Sequence, residues 1–478
     1  MKAIQYLVAG AMMLSISAPM MAQGVNPDVE AIKKVVVDAK GDVESTKGQV
    51  KLFMKANKKN PVAIAGLGRA FLDAKNFEQA KFYADMAMKI GKNNSAGYIL
   101  RGDIASAEDD GGTAASYYEM STQQAPDDPL AYVKYARVYQ KVDDKGAVAM
   151  LEKLRTVKPD YPVDAAAGFM YSQNGKLKSA MERYDAVQDP SSIDDYILFD
   201  YASTAYVLEQ YDKAISLANI GVQKYPQYSS FNRIALYSSD KTKKYDEAVA
   251  YGQKLFAATD TVKYTPNDYI YYADALINTG KFDEAIAAYK HIPEVDAENK
   301  VYKKYIALAY EKANKYDEAV AAMEEYIKEQ GKDLTSADYE SLVGIYVNQA
   351  LEEGVSEAQK VAALEKADKV YVDMTDKFPA NDNTALYIAS KRAGINHTIN
   401  PDVKLGRALP FYKEIVRIVE PKAEKSRAEA KQLTQAYNYI AYYYLLNGKK
   451  EDAKATITKW LEVDPQNTNA QEMLKSCK

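Results

Sequence analysis

The chain has 478 residues, too many for one compact domain and well suited to a repeat array. Apolar residues make up 47% and charged residues 27%, a globular composition and not a disordered one. The 62 basic and 66 acidic residues are interspersed and the formal net charge is -4, so the clustered basic excess that nucleic acid requires is missing. Only ten of the basic residues are arginine, the usual tool for bidentate phosphate recognition. Tyrosine is abundant, with 40 Tyr against 11 Phe and one Trp. A tyrosine packs like a large hydrophobe while its hydroxyl seeks water or a partner, which suits helices half buried in a thin array. The single cysteine, Cys477, excludes an intrachain disulfide.

At the N-terminus, Met1-Lys2 supply a short basic region, and Ile4 to Ile16 form an apolar run. Ala18-Pro19-Met20-Met21-Ala22-Gln23 then has small residues at the positions a signal peptidase needs. This layout predicts a signal peptide over 1–22, cleaved near Ala22, and export to the periplasm or cell envelope. The run is too short to span about 30 Å of hydrocarbon, and no later stretch reaches ~18 apolar residues. No cysteine follows it, which disfavours a lipid anchor. A chain that is not membrane-spanning is expected.

Beyond this leader the sequence repeats itself about every 34 residues. The clearest phrase is an aromatic, an acid, any residue, then alanine. It stands at Phe77-Glu78-Gln79-Ala80, Tyr211-Asp212-Lys213-Ala214, Tyr245-Asp246-Glu247-Ala248, Phe282-Asp283-Glu284-Ala285 and Tyr316-Asp317-Glu318-Ala319. Looser copies end at Ala114, Ala147, Ala180 and Ala453. An acid in a first helical turn suits the positive end of the helix dipole, and alanine permits close helix approach. The phrase therefore predicts the start of the second helix of a pair. Short polar turns precede it, as in Gln173-Asn174-Gly175-Lys176 and Asn278-Thr279-Gly280-Lys281. Units close on proline at 126, 159, 226, 379, 421 and 465, where a helix interior cannot continue. Between these marks apolar residues keep helical spacing, as do Tyr269, Tyr272, Ala273 and Leu276.

This pattern resembles the tetratricopeptide repeat (TPR) family. Leu67-Gly68, Phe71, Ala80, Ala84 and Ala87 match its consensus. So do Tyr98, Gly102, Ala114, Tyr118 and Pro126, then Gly168, Tyr171, Ala180 and Tyr184, and last Tyr437, Ala441, Tyr444, Ala453, Trp460 and Pro465. About ten copies run in register over residues 61–475. The resemblance implies an all-α, TPR-type α-α superhelical solenoid of antiparallel helix pairs. Residues 23–60 read as an N-terminal helical cap or degenerate repeat, and 61–350 as the main array. Residues 351–405 read as an extended, irregular region, with a charged helical insertion at Leu351–Ala367 and a long loop at Ala393–Leu405 holding His397. Residues 406–478 read as C-terminal units.

Catalytic chemistry has little to stand on. The two histidines, His291 and His397, stand outside the apolar pattern, and neither a His-Glu-x-x-His nor a cysteine pair offers zinc a ligand set. Gly66-Leu67-Gly68 lacks a third glycine and follows no strand, so it reads as a helix crossing and not a phosphate loop. Asp109-Asp110-Gly111-Gly112 lacks the alternating oxygens of a calcium loop and reads as a turn. No catalytic residue, cofactor or metal is expected, and the chain is read as a non-enzyme.

The resemblance implies a protein or peptide partner, bound along a concave groove lined by the first helix of each pair. Carried over repeat by repeat, the groove positions are Phe199 and Tyr206, Arg233 and Tyr237, Tyr271 and Asp274, then Lys304 and Tyr305. Tyrosine and arginine are favoured interface anchors. Replacing Arg233 and Tyr237 with alanine is therefore expected to weaken partner binding and leave thermal unfolding nearly unchanged. The family's clamp for a C-terminal carboxylate uses Lys and Asn on successive first helices, but the matching positions here are Ala65 and Arg69, then Ile99 and Asp103. The function expected is an interaction scaffold in the bacterial cell envelope. The alternative is a glycan- or cell-wall-binding envelope protein, since tyrosine rings also suit sugar faces.

Overall fold

The computed structural model describes residues 26–91, 93–140, 142–378 and 381–477. The signal segment 1–22 and Pro379 lie outside these residues. Among the described residues every regular element is helical, and no strand occurs. The helices form antiparallel pairs, each A helix joined to its B helix by a short turn, so the TPR-type architecture expected from the repeat is the one observed.

All five copies of the aromatic–acid–x–Ala phrase open a B helix at the aromatic itself: Phe77–Met88, Tyr211–Lys224, Tyr245–Phe256, Phe282–Lys290 and Tyr316–Gln330. The alanines at 80, 114, 147, 180, 214, 248, 285, 319 and 453 are all fully buried. Helix crossings use glycine in the same way. A Cβ on Gly102 would lie 2.4 Å from the Tyr118 ring, and one on Gly168 would lie 2.5 Å from that of Tyr184. Gly68 packs on Leu100 and Tyr83, which confirms it as a crossing position.

The turns share one device. In the turn after helix Pro266–Asn278, Gly280 takes φ +78°, its amide donates to the Ile277 carbonyl, and the Lys281 amide donates to that of Leu276. This left-handed cap satisfies carbonyls that the helix end leaves open. The same position is filled by Gly175, but also by Lys75, Asp109, Glu209, Lys243 and Asn314, all at positive φ. Asp109-Asp110 is thus a turn, and Asp110 caps helix Gly111–Gln124 by accepting from the Thr113 amide at 2.9 Å.

Two compact units divide at Tyr271/Tyr272. In the first, Pro27–Asp38 and Val43–Asn57 form a genuine helical pair that seats Ile32, Val36 and Phe53 against Ile64, Leu67 and Phe71. Further along this unit, Tyr184, Leu198, Ala202, Ala218, Phe231 and Ile234 build another segment of core between neighbouring pairs. In the second unit, Met323, Tyr339, Ile345, Tyr371 and Met374 do the same, followed by Leu433, Tyr437, Ile457 and Trp460. Each of these segments joins adjacent pairs, so stability within a unit is a chain of neighbour contacts.

Of the charged stretch Leu351–Ala367, residues 357–367 lie in helix Glu357–Lys377, while 352–356 form the connection from helix Ser336–Leu351. The loop expected over Ala393–Leu405 is shorter than that. Helix Asp382–Ile399 continues through its first half because Ala393, Asn396 and Ile399 are buried at helical spacing, and it stops before Pro401. His397 is therefore a helix residue, packed edge-on against Tyr439 at 5.7 Å.

Candidate interaction surface

The expected site residues fall in both units. Phe199, Tyr206, Arg233, Tyr237 and Tyr271 belong to the first, and Asp274, Lys304 and Tyr305 to the second.

In the first unit, helix Ser230–Lys241 presents Arg233 and Tyr237 one turn apart, and both reach Asp268 near the start of helix Pro266–Asn278. Arg233 donates to Asp268 through Nε at 2.6 Å and Nη2 at 2.9 Å, and Nη2 also reaches the Lys263 carbonyl at 2.8 Å. The Tyr237 hydroxyl donates to Asp268 at 2.8 Å. The Thr265 amide and hydroxyl donate to the second carboxylate oxygen at 2.7 and 3.2 Å. Asp268 is 0% exposed, Tyr237 3% and the Arg233 side chain 12%. Burial, then the Asp268 charge, pushes the Tyr237 hydroxyl well above its ordinary value. Arg233 is raised as well, since the Asp268 carboxylate outweighs its desolvation. These two side chains are committed to the interior. Because a buried carboxylate depends on them, their loss is now expected to lower stability, in contrast to the expectation from the sequence.

The same clasp recurs. Lys304 reaches Asp338 at 2.8 Å, where the Tyr326 hydroxyl and the Thr335 amide and hydroxyl also donate. Nearer the N-terminus Asp103 accepts from Arg69, from the Tyr118 hydroxyl at 2.6 Å and from Lys134 at 2.7 Å. Arg69 and Asp103, two of the four positions where the sequence departs from the family's carboxylate clamp, thus bind each other. A base on one A helix, an acid on the next and a tyrosine hydroxyl completing the acid form one repeated arrangement. It explains part of the tyrosine excess, because a buried phenol and a buried carboxylate satisfy each other.

From the rest of the expected set, half-exposed Tyr206 and Tyr271 form a tyrosine ladder with the buried Tyr237 between them. Phe199 is half-buried and meets Phe231 edge-on at 5.8 Å. Tyr206, Tyr237 and Tyr271 lie on three successive A helices, with Tyr237 and Tyr271 ring centroids 4.4 Å apart and the Tyr206 and Tyr271 hydroxyls 3.2 Å apart. Tyr206 and Tyr271 are half-exposed. Exposed Lys241 holds its ammonium 5.0 Å over the Tyr271 ring, and Tyr211 meets Tyr206 edge-on at 5.7 Å. Burial, then the bond to Tyr271, pushes the Tyr206 hydroxyl far above its ordinary value, so it stays neutral near pH 7.

In the second unit, Tyr305 is half-buried with its ring 5.4 Å from Tyr289. Asp274 is half-buried, and its carbonyl accepts from the Asn278 amide nitrogen at 2.8 Å. Sequence reasoning missed Asp268 and Asp338. Each follows a threonine by three residues, the spacing of a capping box, and that signal was present in Thr265-Pro266-Asn267-Asp268 and Thr335-Ser336-Ala337-Asp338. His291 is exposed and reaches Glu294 at 3.0 Å. Among the described residues no group of three or more His, Cys, Asp or Glu is placed to hold a metal ion, and no helix is long and apolar enough to cross a membrane.

Stacked helical pairs closed by buried alanine, with an A helix packed on its neighbours, are the TPR fold, a class of interaction scaffolds. Residues 434–467 match the tetratricopeptide repeat profile, and residues 164–378, less than half of the chain, match a profile described as intraflagellar transport protein 56. No curated protein matches the chain. Among solved structures it is similar to the C-terminal part of a TPR repeat-containing protein from Cytophaga hutchinsonii, at 24% identity over 58% of this chain and 99% of that one, with a TM-score of 0.43. It is also similar to a tetratricopeptide repeat protein from Parabacteroides merdae, at 16% identity over 52% of this chain and 97% of that one (TM-score 0.31). A third, Pseudomonas aeruginosa pilF, is 18% identical over 42% of this chain and 92% of that one (TM-score 0.33).

Proposed function

We propose that this chain is an exported, non-catalytic scaffold of the bacterial cell envelope that holds an extended segment of a partner protein. The observation that carries the reading is the Tyr206–Tyr237–Tyr271 ladder across three successive A helices, with Lys241 at its rim. Half-exposed tyrosines on rigid helices offer apolar faces and hydroxyls at low entropic cost, as recognition surfaces require. The basic start, apolar run and small-residue cleavage positions at 1–22 support export.

The test is crosslinking in intact cells with identification of the captured protein, together with sequencing of the mature N-terminus. A chain starting near Gln23, whose capture of an envelope protein is lost in Tyr206→Ala/Tyr271→Ala, supports the proposal. An intact Met1 in the cytoplasm, or capture unaffected by the double substitution, refutes it.

A further inference from the structure

In the second unit three helices, with Val403 from the connection before the second of them, line a cleft of about 390 Å³. Its lining follows helical spacing on each of them. Ser390, Gly394 and His397 lie along one stripe of helix Asp382–Ile399, and Tyr412 and Ile415 along one stripe of helix Leu409–Val419. Helix Arg427–Leu446 adds Gln432, Gln435, Asn438, Tyr439 and Tyr442. In a chain of which 27% is charged, none of the described residues lining this cleft is Asp, Glu, Lys or Arg. The polar groups are instead three carboxamides, a hydroxyl, an imidazole and phenols.

The cleft is built as well as neutral. Tyr412 stacks on Tyr439 with ring centroids 4.4 Å apart, and His397 meets the same ring edge-on. The Gln432 amide donates to Ser390 Oγ at 3.1 Å, which ties the two flanking helices together across the cleft. His397 Nδ1 is buried with no hydrogen-bond partner in the protein, a state buried polar groups rarely keep. Gln435, Asn438 and Tyr442 are exposed at the rim. On the opposite side the space beside Gly394 is open, since a Cβ there would meet nothing within 4 Å.

We infer that this cleft is a binding site for a neutral saccharide. Carboxamides donate and accept at once, matching vicinal hydroxyls, and aromatic faces suit the apolar C–H faces of sugar rings. A charged ligand would find no counter-ion in the lining. The volume lies at the small end of the roughly 300–1,000 Å³ of small-ligand sites, which suits one or two sugar rings better than a through-running peptide. The site lies in the second unit and does not rest on the tyrosine ladder of the first, so the two readings fail independently.

The experiment titrates the full-length chain by calorimetry with N-acetylglucosamine, chitobiose, maltotriose and cellotriose, and with the uncharged peptide Ala-Ala-Ala-amide. Saturable binding of at least one saccharide is expected. It should weaken at least about tenfold in Gly394→Phe, which fills the cleft without a backbone clash, and in Gln432→Ala. It should persist in Tyr206→Ala/Tyr271→Ala. Absence of saccharide binding up to about 10 mM overturns the inference. So does tighter binding of the peptide, or saccharide binding that ignores both cleft substitutions while circular dichroism shows them folded.

Discussion

Replacing Arg233 with alanine removes the guanidinium that pairs with a carboxylate of no solvent exposure. Asp268 keeps the Tyr237 hydroxyl at 2.8 Å and the Thr265 amide at 2.7 Å, but these are neutral donors. Two short guanidinium bonds are lost, at 2.6 and 2.9 Å. Breaking a buried pair by removing one partner costs about 3–5 kcal/mol, because the remaining charge is stranded. The cost falls on the contact between helices Ser230–Lys241 and Pro266–Asn278, so local opening reports it better than a global melt. Hydrogen exchange of the Ser230–Lys241 amides should accelerate by on the order of a hundred- to a few-thousand-fold. The charge argument makes a second demand. Arg233→Met combined with Asp268→Asn removes both charges together, and should recover more than half of the lost protection. Exchange within about threefold of the wild-type rate in Arg233→Ala would refute the clasp as a stabilising element. Failure of the double variant to recover would instead show that packing, not stranded charge, sets the cost.

Gly102→Ala should destabilise the chain by about 1–3 kcal/mol, because the Tyr118 ring it meets is pinned by Asp103 and cannot move aside. Gly48→Ala, on an exposed helical surface with open space around it, should stabilise by up to about 1 kcal/mol; urea titrations of both variants check the contrast. Ala248→Leu should lower the melting temperature, since the alanine is fully buried and its helix cannot retreat without opening the core, at about 1–3 kcal/mol. Burial pushes the Asp200 carboxyl up to about 6, even though Tyr184, Ser172 and Gln173 donate to it. In the unfolded chain it ionises near its ordinary value of 3.8, so between pH 4 and 6 the folded state holds the extra proton and stability falls as pH rises. Across that window the loss amounts to roughly 3 kcal/mol. Asp200→Asn should flatten that part of the stability–pH profile, and a profile parallel to wild type would contradict the assignment.

The repeat was legible because one short phrase carries three physical demands at once: an aromatic at the turn, an acid at the dipole, and alanine at the crossing. Each copy therefore marks a B helix to the residue. Helix Asp382–Ile399 was misread from its Gly, Asn and Pro content, since local turn chemistry competes there with burial of Ala393, Asn396 and Ile399. That error also hid the cleft, because His397 faces Tyr439 only if the helix continues. For Arg233 and Tyr237 the structure shows interior contacts that the repeat spacing alone did not reveal. Periodicity says that Arg233 and Tyr237 share a helix face; it does not say that an acid 35 residues on will occupy it. The threonine–acid spacing at 265–268 and 335–338 was the available clue. It places the carboxylate at a helix start, and a buried carboxylate there calls for a cation from the preceding repeat.

Along the A helices the clasps run base, acid, base, acid: Arg233, Asp268, Lys304, Asp338. A repeat of one kind cannot complete a neighbour of its own kind. Unequal crossing-over that adds or drops a single repeat would set like beside like and leave a carboxylate or a cation stranded, whereas gain or loss of two adjacent repeats restores the pattern. Over this stretch the unit that can be gained or lost without stranding a charge is thus a doublet.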